Sequence, residues 1–274
     1  MVEPIELGAF VNLEDPALKL ASRNIVAVQE DATVEEALKI MLKKYRKIPV
    51  LSKKDKHFMG FITSVDILDY LGAGEKAKTA QRKKRKLSVP VSRIMTTNVH
   101  TLDSRHDIRT ALIMARKHRK GAYPILERKR LKGLVTEWDF VSPIEGRTGI
   151  KISEVMMRKP MVAKSHFSIF DVARMMVRGG YRRLPVVKNN ILVGIATPHD
   201  LLSYLSENEK LEKLRSEKRE IIHAMMTQVT TVSPEDDIAV AVDLIKRGTG
   251  GLPVVEEHEL HGIITERDIV NLLG

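Results

Sequence analysis

The chain has 274 residues, 43% hydrophobic and 30% charged, with no cysteine. That length suits about two ordinary domains with a substantial core. The composition excludes disulfides, thiol nucleophiles and thiolate metal sites, and no apolar run nears the roughly 20 residues that span a bilayer. The net charge of +11 is uneven: residues 1–150 carry 29 Lys and Arg against 18 Asp and Glu, while residues 151–274 carry 17 of each. Any polyanion is therefore expected on the N-terminal half. The start MVEPIELGAF has no basic segment followed by an apolar core, so the cytoplasm is the expected location.

In chain order, residues 1–23 come first, with a turn at Asp15-Pro16 and then a short helix. Four copies of one pattern follow, at residues 24–71, 89–146, 147–205 and 221–274. Each opens with a short extended segment and continues into an amphipathic helix. In the first copy Thr33 and Glu36 form a capping box, and Val34, Ala37, Leu38, Met41 and Leu42 recur at helical spacing. Ser168 and Asp171 repeat the box in the third. Next comes a predicted β-hairpin. Its first strand holds a hydrophobic-Pro pair (Ile48-Pro49, Tyr123-Pro124, Leu184-Pro185, Leu252-Pro253), and its second begins Gly60, Gly133, Gly194 or Gly262 and ends in threonine. The proline-to-threonine gap is 12 residues in three copies and 14 in the first, which locates a two-residue insertion in the turn 52–57. A loop tolerates added length where paired strands do not. An aspartate stands three residues after each threonine: Thr63/Asp66, Thr136/Asp139, Thr197/Asp200 and Thr265/Asp268. The whole unit reads strand, helix, strand, strand, helix, an α/β arrangement whose one apolar face requires pairing of copies.

The Thr-x-x-Asp step is first of all a helix N-terminus signature, threonine capping and aspartate favouring the positive end. The same geometry suits a ligand. Free N–H groups attract phosphate, a threonine hydroxyl can donate to phosphate or ribose, and an aspartate can accept ribose hydroxyls. Two charged connectors separate the copies. Residues 72–88 include five consecutive basic residues, Arg82 to Lys86, whereas residues 206–220 are of mixed sign and read as a solvated charged helix. Nine histidines show no metal-ligand spacing, and no nucleophile elbow, Walker or dinucleotide fingerprint occurs. No catalytic residues and no metal are expected, so the chain does not read as an enzyme.

Four units ending in hydrophobic-Pro-hydrophobic and then Gly-x-x-Thr-x-x-Asp resemble the cystathionine-β-synthase (CBS) repeat over roughly residues 24–273. The resemblance implies four β-α-β-β-α repeats paired as two Bateman modules in a pseudo-symmetric disk, as in the γ regulatory subunit of AMP-activated protein kinase and its stand-alone prokaryotic relatives. It further implies adenine-nucleotide binding in clefts between repeats, with threonine and aspartate contacting phosphate and ribose. The two residues before the hydrophobic-Pro pair would contact phosphate: Arg46-Lys47 and Arg182-Arg183 carry charge, but Gly121-Ala122 and Gly250-Gly251 do not. The residue before the aspartate (Val65, Trp138, His199, Arg267) would reach phosphate too. Ala27, Thr101, Val162 and Thr231 would lie beside the adenine.

The third repeat fills every position and ranks first as a nucleotide site, followed by the first and then the fourth, helped by basic residues lent from elsewhere. The second repeat, with Trp138 beside its motif and Pro143 cutting its last helix, is expected to be empty or altered. The expected ligand is AMP, ADP or ATP, read by an unidentified regulated protein, with no membrane association, and the chain a monomer or homodimer. Two other readings remain: nucleic acid bound through the Lys76–Lys86 connector together with Lys117–Lys120 and Arg128–Lys132, and an S-adenosylmethionine or other adenosyl sensor. Only 4% of residues are aromatic, which argues against base stacking on single strands.

Overall fold

The computed structural model describes residues 3–43, 45–74 and 87–274. All four repeats form the expected α/β unit. Their first helices are Val34–Lys43, Ile108–His118, Ile169–Gly179 and Ile238–Lys246; their motif helices are Ser64–Leu68, Glu137–Val141, Pro198–Glu207 and Glu266–Val270. The hairpins pair Lys47–Leu51 with Phe58–Thr63, Ala122–Glu127 with Arg130–Thr136, Leu184–Lys188 with Ile191–Ala196, and Leu252–Glu256 with Glu259–Ile264. A short strand adds parallel to the first three hairpins, at Val28↔Val50, Leu102↔Ile125 and Ala163↔Val186. In the fourth repeat it shrinks to the single bridge Val232↔Val254.

The first capping box forms as read, and in the third repeat its N-cap half forms. Glu36 N–H donates to Thr33 Oγ1 at 3.1 Å and Thr33 N–H to Glu36 Oε2 at 2.7 Å, while Asp171 N–H donates to Ser168 Oγ at 3.1 Å. Three hairpins close through two-residue turns with positive φ at both positions: Arg128-Lys129, Asn189-Asn190 and Glu257-His258. Such type I′ turns match the strand twist and favour asparagine and glycine. The longer first loop is folded around Ser52, whose N–H donates to the His57 carbonyl at 2.8 Å.

The chain divides into two compact units, each built from alternate repeats. One holds Val26–Val99 and Met161–Val229, the first and third repeats; the other holds Met1–Ile25, His100–Pro160 and Thr230–Gly274, the second and fourth. Each has its own core, in which the helices of its two repeats bury their apolar faces together. Met41, Ile67, Leu68, Met176, Leu201 and Leu205 share the first core, and Leu112, Phe140, Ile245 and Ile269 the second. Removing any one of these side chains would cost about 2–5 kcal/mol.

The segment leading into each repeat does not stay with that repeat. Residues before the first repeat dock on the second hairpin, with mutual Ser22–Leu134 backbone bonds of 3.0 Å. Those that open the second dock on the first hairpin, Thr96 pairing with Phe61 at 2.8 and 2.9 Å. Met226, at the opening of the fourth, pairs with Ile195 of the third, and Met157–Arg158, at the opening of the third, pair with Gly262 and Ile263 of the fourth. The glycine repeated in all four copies makes this approach feasible. A Cβ at Gly194 would stand 2.8 Å from the Met226 carbonyl oxygen, and one at Gly262 2.9 Å from that of Met157.

One expectation needs correction. The stretch 206–220 is not a solvated helix: it forms a short 3₁₀ segment, Leu211–Ser216, with Leu214 fully buried and Glu217 buried against Lys210 at 2.7 Å. The sequence pattern showed its charges, but two residues of the segment turn inward. In the N-terminal stretch the short helix expected after Asp15-Pro16 is the 3₁₀ turn Ala17–Lys19, preceded by another at Leu7–Ala9, with Leu7 and Ala17 buried in the second core. The basic run Arg82–Lys86 lies outside the described residues.

Candidate functional site

The same capped corner is built four times. Each threonine ends or directly follows a hairpin strand in extended backbone and caps a helix. Its N–H and its Oγ1 both donate to one oxygen, Oδ2, of the aspartate. The distances are 2.9 and 2.6 Å for Thr63–Asp66, 2.6 and 2.7 Å for Thr136–Asp139, 2.8 and 2.8 Å for Thr197–Asp200, and 2.8 and 2.7 Å for Thr265–Asp268. An ionised carboxylate can only accept, so the threonine's single proton is committed inward. The other oxygen, Oδ1, takes no part in the box in any of the four corners.

The four corners differ at that oxygen. In the first repeat Oδ1 of Asp66 already accepts the Thr96 hydroxyl at 2.9 Å. Among the described residues Oδ1 of Asp200, Asp139 and Asp268 accepts no hydrogen bond. In the lead-in segments Met226 and Met157 occupy the place that Thr96 takes beside the first hairpin. Burial pushes the carboxyls of Asp139 and Asp268 above their ordinary value, opposed by the threonine hydrogen bonds. Arg267 and Arg119 also pull Asp268 down.

The hairpin register brings the remaining predicted positions to the same end of each sheet. Lys47 stands opposite Thr63, and Arg183 directly precedes Leu184, which stands opposite Ala196 beside Thr197. Ala27 and Val162 directly precede the first paired residues of their parallel strands, Val28 and Ala163, placing them level with Pro49 and Pro185. Thr101 and Thr231 occupy the equivalent places before Leu102 and Val232, and both are exposed. Arg46 and Arg182 are exposed, Arg183 and His199 half-buried. The Lys47 ammonium lies 4.9 Å from the Phe61 ring centroid, a cation–π contact that holds it along the hairpin.

In the second unit the corners of repeats two and four touch. Arg267 Nε donates to Glu137 Oε1 at 3.0 Å, and Glu137 is buried. Arg267, predicted as a phosphate contact, is thus held by a carboxylate from the neighbouring motif. Arg119 was missed. It ends the helix Ile108–His118 in a left-handed conformation (φ 52°), and its charge, with that of Arg267, opposes the rise of the Asp268 carboxyl. Its signal is its place in the basic run Lys117–Lys120, two residues before Gly121. Trp138 is exposed, and its helix, Glu137–Val141, stops before Pro143 as expected. The fourth repeat's motif helix is equally short without a proline. Among the described residues no group of acidic or histidine side chains could hold a metal, and no helix is long and apolar enough to cross a membrane.

The CBS domain model matches residues 17–73, 91–146, 152–207 and 219–274. The chain is 33% identical over 271 residues to the uncharacterized protein MJ1225 of Methanocaldococcus jannaschii, covering 92% of this chain and 97% of that one. The crystal structure of MJ1225, described as a candidate archaeal homologue of γ-AMPK, superposes with a TM-score of 0.85 over 93% of this chain and 98% of that one. A protein in the ribosomal RNA operon of Thermofilum pendens is 27% identical over 244 residues, 83% of this chain and 80% of its own. An uncharacterized conserved protein from Pyrococcus horikoshii shares the fold, with a TM-score of 0.61 at 18% identity over 94% of this chain and all of the other. With four matched repeats spanning most of its length, the chain belongs to the CBS domain family.

Proposed function

We propose that this chain is a regulatory adenine-nucleotide sensor whose main site is the corner of the third repeat. The observation that carries this reading is the Asp200 carboxylate. It is oriented by Thr197 through Oδ2, and its Oδ1 accepts no hydrogen bond among the described residues. His199 directly precedes it, Arg183 directly precedes Leu184, which stands opposite Ala196, and Val162 lies at the same end of the sheet. An acceptor for a ribose diol beside basic groups suits a nucleoside phosphate. The near full-length likeness to a protein described as a candidate γ-AMPK homologue supports the same reading. Ligand occupancy would bias the packing of repeats, and a regulated partner protein would read that surface, shifting nucleotide affinity reciprocally.

Thermal-shift measurements against AMP, ADP, ATP, S-adenosylmethionine and buffer test this. Stabilisation of about 3 kcal/mol is expected at a ligand concentration 100 times Kd. Asp200→Ala combined with Arg182→Ala should abolish most of the shift. Stabilisation by S-adenosylmethionine alone would reassign the ligand, and no shift with any adenosyl compound would refute the sensor reading.

A further inference from the structure

A second cationic site lies away from the motif corner, where the motif helix of the first repeat ends against the first helix of the third. Arg174, Arg178 and Arg215 line a cavity of about 310 Å³, together with Phe170 and the backbone of Gly72, Ala73 and Gly74. Among the described residues no carboxylate lines it. Among the described residues Arg178 and Arg215 form no ion pair, and Arg174 is only loosely held, 3.7 Å from Asp171 with its guanidinium 5.5 Å from the Phe170 centroid.

The ordinary explanation covers one of these cations. Arg178 sits in the last turn of its helix, where positive charge complements the dipole. Arg174 lies one turn earlier, and Arg215 comes from the separate 3₁₀ segment Leu211–Ser216. Three like charges gathered around one concavity repel one another unless an anion joins them. The backbone on the fourth side is shaped by glycine. Gly72 adopts φ 136°, open only to glycine, and a Cβ on Gly74 would stand 2.5 Å from Asp69 Oδ1 and 2.6 Å from Val177 Cγ1.

We infer that this cavity binds a small phosphate-bearing molecule with several negative charges, held by guanidinium forks rather than by the ribose-directed aspartate of the motif. Arginine suits the task because its planar donors match phosphate oxygens two at a time, and the volume falls at the lower end of small-ligand pockets. In sequence, the segment 75–86 that follows Gly74 carries seven Lys and Arg against one Glu. The assignment rests on the three described arginines alone.

The test uses full-length protein and tripolyphosphate, which has no base or ribose, titrated calorimetrically at constant ionic strength. Wild type should bind with a resolvable heat, and Arg178→Gln with Arg215→Gln should weaken binding at least tenfold. Asp200→Ala should leave it unchanged, so that failure of the nucleotide reading and failure of this one are distinguishable. Both arginines are exposed, so the double variant is expected to fold, and circular dichroism checks that it does. Equal binding by wild type and the double variant would overturn the assignment. So would loss of binding only on neutralising Arg82–Lys86, or no binding by wild type.

Discussion

The two units share one architecture but distribute charge in opposite ways. In the unit of repeats one and three, the cavity between a terminal helix and its partner's first helix is lined by three arginines. At the equivalent place in the other unit, a cavity of about 570 Å³ is lined by Glu235, Asp236, Asp237 and Asp243 with the single cation Arg147. The motif corners differ in the same sense. Repeats two and four join Glu137 to Arg267, whereas the matching positions of repeats one and three are Ser64 and His199, which cannot form that pair. One unit lines this cavity with carboxylates and joins its corners by an ion pair; the other lines it with arginines. A pseudo-repeat thus keeps its fold through apolar periodicity while its polar positions diverge toward structure in one place and ligand in another.

Breaking the internal pair should have the largest effect. Glu137→Ala leaves Arg267 without its partner and is expected to destabilise the protein by roughly 2 kcal/mol, as for charged hydrogen bonds. Urea denaturation measures it, and a loss below about 0.3 kcal/mol would reduce the pair to a surface contact. The released Arg267 would then turn toward Asp268, making the fourth corner resemble the third.

The next effect concerns acid. Burial raises the carboxyls of Asp139 and Asp268 above the usual 3.8. The folded chain therefore binds these protons more firmly than the unfolded chain does. Their favourable contribution is present at low pH and is lost as pH rises from 3.8 through the raised values. Asp268→Asn, which keeps an oxygen for Thr265, should flatten that part of the stability curve; denaturation midpoints between pH 4 and 7 report it. A curve parallel to wild type would mean the burial is relieved by water.

The smallest effect sharpens a difference in turns. Asn189-Asn190 suits its positive φ, but Arg128-Lys129 and Glu257-His258 in the other unit do not. Replacing Arg128 by Asn and Lys129 by Gly should stabilise by about 0.5–1 kcal/mol. The same changes to Glu257 and His258 should act alike. A neutral or negative outcome at both, read by thermal melting, would show that the strands and not the turns set those conformations.

Much of this was legible because local rules and the fold agree. Proline, glycine, threonine and aspartate at constant offsets gave the hairpins and corners, and helical spacing gave the buried faces of Val34–Lys43 and Ile169–Gly179. Which repeats share a core was not legible, since four similar apolar faces carry no label for their partner. The docking of lead-in segments left a trace that was passed over. A glycine fixed in four strands marks a close backbone approach, and Thr96 lies where that approach brings it to Asp66. Arg267 was read as a ligand contact because its partner Glu137 lies 130 residues earlier.

The exchange of lead-in segments also governs how the chain can be made. The hairpin of the first repeat needs Thr96, and that of the third needs Met226, so neither is complete when its own last residue has left the ribosome. The unit of repeats two and four closes later still, because Ile5 N–H donates to the Leu272 carbonyl and Gly274 N–H to the Ile5 carbonyl, both at 2.9 Å. Contacts this distant in sequence slow folding and leave early segments waiting with apolar surface uncovered. Removing Ile5 or the Leu272–Gly274 stretch would therefore unfasten two segments joined across most of the sequence.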